Sequence, residues 1–170
     1  MIANSPNIRT IRYHSVLFGN NMKIIATNRK AFHDYSMFEN YTAGIELFGT
    51  EVKSARAGGV SLDGGYAAVE HGEVFLHEIN IAPYQCGNIF NRDPKRKRRL
   101  LLNKDEIRHL FGKVEQRGYT LIPIKFFFSD RGFAKVELAL CKGKKLIDKR
   151  ETLKRRAIER QERIEAKRRR

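Results

Sequence analysis

Five histidines and two cysteines are the residues of this sequence best suited to metal, redox or acid–base chemistry. His14, His33, His71, His77 and His109 form no HExxH-type pair, and Cys86 and Cys141 stand far apart, outside any CxxC. Neither a zinc site nor a disulfide framework is expected from such spacing, and the two thiols read as buried or half-buried bystanders. "HDY" at 33–35 sets His33 beside Asp34. Read within a strand, neighbours point to opposite faces and make a poor acid–base pair. The sequence has no GxSxG and no Walker loop, and "AGG", "DGG" and "KGKK" lack the glycine-rich turn that cradles phosphate. Catalysis is therefore not expected, nor is any cofactor or metal. The leading enzymatic alternative is a basic nuclease using His33 with an acidic residue.

The chemistry this chain does advertise is cationic. Lys and Arg number 34 against 19 Asp and Glu, a formal charge of +15. Such a balance points to a polyanion, nucleic acid before an anionic membrane. "DPKRKRRLLLN" (93–103) concentrates Lys95, Arg96, Lys97, Arg98 and Arg99 directly against three leucines. We read it as a phosphate-binding loop whose leucines insert into the core and tie the cations down, which lowers the ordering cost of binding. The leucines could equally begin a strand. From Lys142 to Arg170 there are 14 basic and 5 acidic residues, a net +9 of the total +15. Engaging six to ten phosphates would cost roughly 10³ to 10⁵ in affinity between 50 and 200 mM salt.

These cations need a scaffold, and the patterning supplies one. Residues 33–48 carry aromatic and β-branched residues in partial alternation, expected to form one or two strands. "GTEVKSARAGG" predicts a helix over 50–57 capped by Thr50, with Glu51 in its first turn and Gly58 as its left-handed stop. Residues 66–84 read as a hairpin turning at His71-Gly72 and ended by Pro83. Asn103 with Glu106 predicts a capping box. Ile107, Leu110, Phe111 and Val114 follow at helical spacing, and Gly118 closes a helix over 103–117. "YTLIPIKFFF" (119–128) and "FAKVELALC" (133–141) flank "SDRG" as a second hairpin. Short antiparallel strands without βαβ alternation predict a mainly β fold, a small barrel with about three helices.

Three divisions are expected. Residues 1–27 form an extension, with Met22 an alternative start. Residues 28–141 form the barrel. Residues 142–170 form a basic tail with helix propensity, charge pairs at i, i+4 and a thin apolar stripe, disordered when free and helical against a polyanion. That stripe is too thin for firm membrane insertion. No stretch approaches the 18 apolar residues of a membrane span and no secretory signal is evident, so the cytosol is the expected compartment.

In order along the chain, "NRKAFHDY", "AGIELFGTEVKSARAG", "GEVFLHEINIAPY", "DPKRKRRLLLNKDEI", "GYTLIPIK" and "KGKKLIDKRETLKRR" resemble the bacterial SsrA-binding protein, or small protein B, family. The resemblance covers about residues 28–156. It implies an oligonucleotide-binding-like antiparallel barrel, monomeric when free, which binds the tRNA-like part of transfer-messenger RNA. It further implies delivery of that RNA to stalled ribosomes for trans-translation, the tail entering the empty messenger channel near the decoding region. By motif position it assigns RNA contact to Leu101 and Asn103 in "LLLN" and to Lys135 in "AKVEL". The tail set comprises Lys142, Lys144, Lys145, Asp148, Lys149, Arg150, Lys154, Arg155 and Arg156. The chain departs from relatives at Thr42, where many carry glutamate, and at Ile147, where some carry an aromatic residue or histidine. The alternative is a structural ribosomal protein held permanently in ribosomal RNA.

Overall fold

The computed structural model describes residues 22–115 and 118–144. Element order is β1 (Lys23–Thr27), α1 (Arg29–Asp34), β2 (Tyr35–Ile45), α2 (Gly49–Arg56), β3 (Val60–Ser61), β4 (Tyr66–Glu70), β5 (Glu73–His77), β6 (Asn80–Ile81), β7 (Arg98–Leu101), α3 (Lys104–Val114), β8 (Tyr119–Phe128) and β9 (Ala134–Gly143). The main sheet runs β1-β8-β4-β5-β7-β2-β9, and a further β8–β9 pairing curls β8-β4-β5-β7-β2-β9 into a barrel, with β1 paired to β8 alone. All its pairings are antiparallel. The ring is thin at two seams: β4 meets β8 at one register pair, Ala67↔Leu121, and β2 meets β7 at two.

Two bulges let the long strands serve two cores. Leu121, Phe126 and Phe128 face the barrel interior, whereas Ile122 and Ile124 pack outside it with Ala31, Ala139 and Cys141. The register shift between Pro123 and Lys125 switches the inward set from odd to even positions. Proline is tolerated there because a bulge relieves it of a ladder hydrogen bond. On β2 the shift between Met37 and Glu39 does the same. Tyr35 and Met37 pack on the outer cluster, and Tyr41, Ala43 and Ile45 on the inner one. Helix α3 buries Leu110 completely in the inner cluster.

Several expectations held. The β4–β5 turn is His71-Gly72 with both φ positive, 51° and 78°, as a two-residue hairpin of matching twist requires. Helices α2 and α3 and the β8–β9 hairpin lie where they were read. Glu106 accepts a hydrogen bond from the Asn103 amide at 2.9 Å.

Other expectations need correcting. His33 and Asp34, expected at the start of a strand, instead end helix α1, and the strand begins at Tyr35. Asn28 caps the helix, its Oδ1 accepting from the Ala31 amide at 3.0 Å while its Nδ2 donates to the carbonyls of Leu62 and Pro123. His33 and Asp34 thus do meet, Nδ1 to Oδ1 at 3.0 Å. The sheet begins at Lys23 and ends at Gly143, so β1 joins the sheet rather than the extension, and Lys142 belongs to β9. Phe48, not Thr50, is the N-cap residue of α2, and its amide donates to Glu51. Cys86 is exposed and Cys141 buried, and burial pushes the Cys141 thiol pKa up to about 11.

Candidate nucleic-acid interface

The basic run is half loop and half strand, and β7 imposes a period of two on it. Arg98 and Leu100 turn inward, while Arg99 and Leu101 turn outward. Arg98 has 0% exposure. Its guanidinium donates to Glu51 Oε1 at 2.9 Å and to the carbonyls of Ile79, Arg96 and Pro94 at 2.9–3.2 Å. Arg98 is therefore removed from the phosphate-binding set: a fully enclosed guanidinium with its donors committed cannot meet a polyanion. Arg96 also grips Glu51, through both its Nε and Nη2, and lies 4.6 Å from the Phe48 ring centroid.

Glu51 is the hub of this cluster and is itself buried. Burial pushes its carboxyl pKa up, but the Arg96 bonds, the Phe48 amide and the Arg98 charge outweigh that and hold it below the ordinary carboxylate range. Desolvation in turn lowers the Arg98 pKa. A buried carboxylate between two guanidiniums is a fastening for the barrel wall. Breaking it leaves an uncompensated charge.

The other three cations of the run reach solvent, each already facing a carboxylate. Lys95 lies 3.8 Å from Glu78, and Lys97 lies 3.0 Å from Glu70. Arg99 bridges Glu46 and Glu73 at 2.9 Å each, and bonding to Glu73 and Glu46 raises its pKa. Exposed pairs of this kind are worth little and can exchange partners. A phosphate at these positions must nonetheless compete with resident acids. The run is less available as a polyanion patch than its composition implies.

Register brings together residues far apart in sequence. Leu101 on β7 lies opposite Gly44 on β2, and Gly44 lies opposite Lys135 on β9. The three form one row across the outer face, with two strand spacings, roughly 10 Å, separating the ends. Leu101 is 54% exposed. A Cβ at Gly44 would lie 3.3 Å from the Leu101 Cβ, so a side chain there would push against Leu101 and fill the trough between the two ends. Phe75 on β5 faces Arg99, and the Lys97 ammonium sits 4.7 Å from its ring centroid. Asn103 follows at the α3 N-cap and is exposed. The sequence reading included Leu101, Asn103 and Lys135. Gly44 and Phe75 were not among them, and their places beside these residues follow from cross-strand register. An aromatic alternating with buried Val74 and Leu76 was the available hint.

A second aromatic–cation cluster lies at the other end of the run. Arg92 and Arg96 lie 4.7 and 4.6 Å from the Phe48 centroid, and Lys53 lies 5.5 Å from that of Tyr84. Asn91 clamps this loop by bonding both the amide and the carbonyl of Tyr84 at 3.0 Å.

Of the tail set, Lys142 lies on β9 beside the Tyr119 ring, and the Lys144 ammonium donates to the Phe32 carbonyl at 3.2 Å. Both belong to the barrel. Lys145, Asp148, Lys149, Arg150, Lys154, Arg155 and Arg156 lie outside the described residues. Among the described residues, no group of three or more His, Cys, Asp or Glu could hold a metal ion, and no helix is long and apolar enough to cross a membrane.

Comparison with known proteins finds relatives over most of the chain. The SsrA-binding protein of Caldicellulosiruptor bescii is 59% identical over 140 residues, covering 82% of this chain and 88% of its own. That of Moorella thermoacetica is 52% identical over 143 residues, covering 84% and 92%. A chain from the solved structure described as "tmRNA-SmpB: a journey to the center of the bacterial ribosome" is 54% identical. It covers 73% of this chain and 86% of its own, with a TM-score of 0.63. A family model, SmpB protein, matches residues 25–168, and with it this chain belongs to the SmpB family.

Proposed function

We propose that this protein binds transfer-messenger RNA at its tRNA-like part and delivers it to stalled ribosomes, so that trans-translation releases them. What carries this reading is the family match over nearly the whole chain, on a barrel whose outer face aligns Leu101, Gly44 and Lys135. The barrel meets RNA through shape, backbone contact and a few exposed side chains, the usual mode for a folded RNA. Lys135, Leu101 and Asn103 carry the contact. Lys95, Lys97 and Arg99 contribute after exchanging their carboxylate partners, and Arg96 and Arg98 hold the wall behind them.

The tail is the ribosomal probe. Its excess cations, from Lys145 onward, follow ribosomal RNA phosphates along the vacant messenger channel. The protein catalyses nothing itself and works in the cytoplasm as an adaptor. Truncation after Lys145 tests the division of labour. Affinity for transfer-messenger RNA should stay within about threefold, since few phosphate contacts are removed, while tagging of stalled products is lost. An equal fall in both would refute it.

A further inference from the structure

We infer that the groove between α3 and the β4–β5 hairpin receives a single unstacked nucleobase of the bound RNA. The inference rests on the RNA-binding reading above and assigns part of that contact to residues to which the motif resemblance gives no role.

The groove has a volume of about 430 Å³ and is lined by Val69, Gly72, Lys104, Ile107, Arg108 and Phe111. Its size falls within the range of clefts that hold small molecules. Its floor is apolar and its rim cationic. Phe111 was expected in the core stripe of α3, yet it remains 49% exposed while Leu110 beside it is fully buried. The helix therefore leaves an aromatic face that the fold does not cover. Gly72, at φ +78°, has no atom within 4 Å of where a Cβ would stand, which keeps the hairpin end of the groove open.

Three observations favour a base over other occupants. The groove adjoins the contact residues already described, since Lys104 directly follows Asn103 and lies three residues beyond Leu101. Its rim suits the phosphates on either side of a base. Among the described residues Lys104 has no ion-pair partner and Arg108 is held only by an exposed contact with Asp105. The nearest hairpin carboxylates are engaged elsewhere, Glu70 by Lys97 and Glu73 by Arg99. Finally, the basic tail is a poor occupant for a groove with a rim of its own charge. An aromatic wall beside cations is the arrangement on which unstacked RNA bases rest.

The chain has no tryptophan, so Phe111→Trp installs a unique fluorescent reporter in the groove wall. Titration with transfer-messenger RNA should quench its emission at the midpoint of binding. Phe111→Ala should weaken binding about 5- to 150-fold, the range for loss of one stacked base. The salt slope should not change, because no phosphate contact is removed, whereas Lys104→Ala should lower that slope by about one. A silent tryptophan at RNA saturation overturns the inference, as does Phe111→Ala affinity within twofold of the unmodified chain. So does emission that shifts only on truncation after Lys145, which would seat the tail in the groove. Quenching by ribosomes but not by the RNA would assign the groove to a ribosomal partner and equally overturn it. Failure of the unmodified chain to bind the RNA would instead sink the functional reading itself.

Discussion

Arg98 and Lys135 show two opposite uses of the same charge. Arg98 lies in a run of five cations, is enclosed completely, and bonds Glu51 and three carbonyls. Lys135 stands among apolar residues on β9, yet faces outward across Gly44 from an exposed leucine. Local cation density would rank Arg98 first as a nucleic-acid contact and Lys135 last. Strand pleat and register reverse that order. A charged residue contributes to an interface by facing it, and the period of two along β7 assigns alternate members of one run to two tasks.

The comparison breaks most visibly at Glu51. Replacing it with alanine should destabilise the fold by about 3–5 kcal/mol, because Arg98 is then buried without its counter-charge. Urea unfolding followed by circular dichroism measures this. A loss under 1 kcal/mol would mean the cluster is not a fastening. The same carboxylate predicts the acid limb of stability. Its folded pKa lies below the unfolded value, so the native state gains from its ionisation. That contribution is complete above the unfolded pKa of about 4.5 and is lost as pH falls toward the lower folded value. Unfolding free energy should therefore drop more steeply below pH 4.5 in the unmodified protein than in Glu51→Gln.

The outward member yields a different signature. Lys135→Ala should leave stability within about 0.5 kcal/mol. It should weaken binding of transfer-messenger RNA at every salt concentration and reduce the slope of log affinity against log salt by about one. Filter binding across 50–200 mM salt reads both. Arg99→Ala should show the smallest change. Its cation already faces Glu46 and Glu73, so its loss removes a phosphate contact but also removes the cost of displacing those acids. An effect of Arg99→Ala larger than that of Lys135→Ala would show that the resident carboxylates give way freely.

Much of this organisation was legible in the residues. The β8–β9 hairpin follows from alternation around "SDRG", α3 from its capping box and apolar spacing, and the β4–β5 turn from His71-Gly72. Each depends on chemistry between residues close in sequence. What was misread depends on partners far away. Helix α1 was not foreseen, and its last two residues were taken into the following strand, because Ala31 and Phe32 pack on the outside of a sheet formed mostly by residues 90 or more positions later. Its cap at Asn28 bonds the carbonyl of Pro123. Phe111 matched the helical stripe, yet the barrel needed only Leu110, Ile107 and Val114 from that face.

By itself the sequence determined the cationic balance, the mainly antiparallel architecture and the family, and by motif position it proposed three contact residues. These follow from composition, short-range periodicity and local spacing. Only the tertiary structure decided which cations of 95–99 are walls and which are surface, that Gly44 joins Leu101 to Lys135, and that Phe111 stays exposed in a groove beside the β4–β5 hairpin. Those are matters of register and burial. A shift of one residue turns a strand's whole outward set inward, and the choice is made by which apolar faces find each other across the barrel.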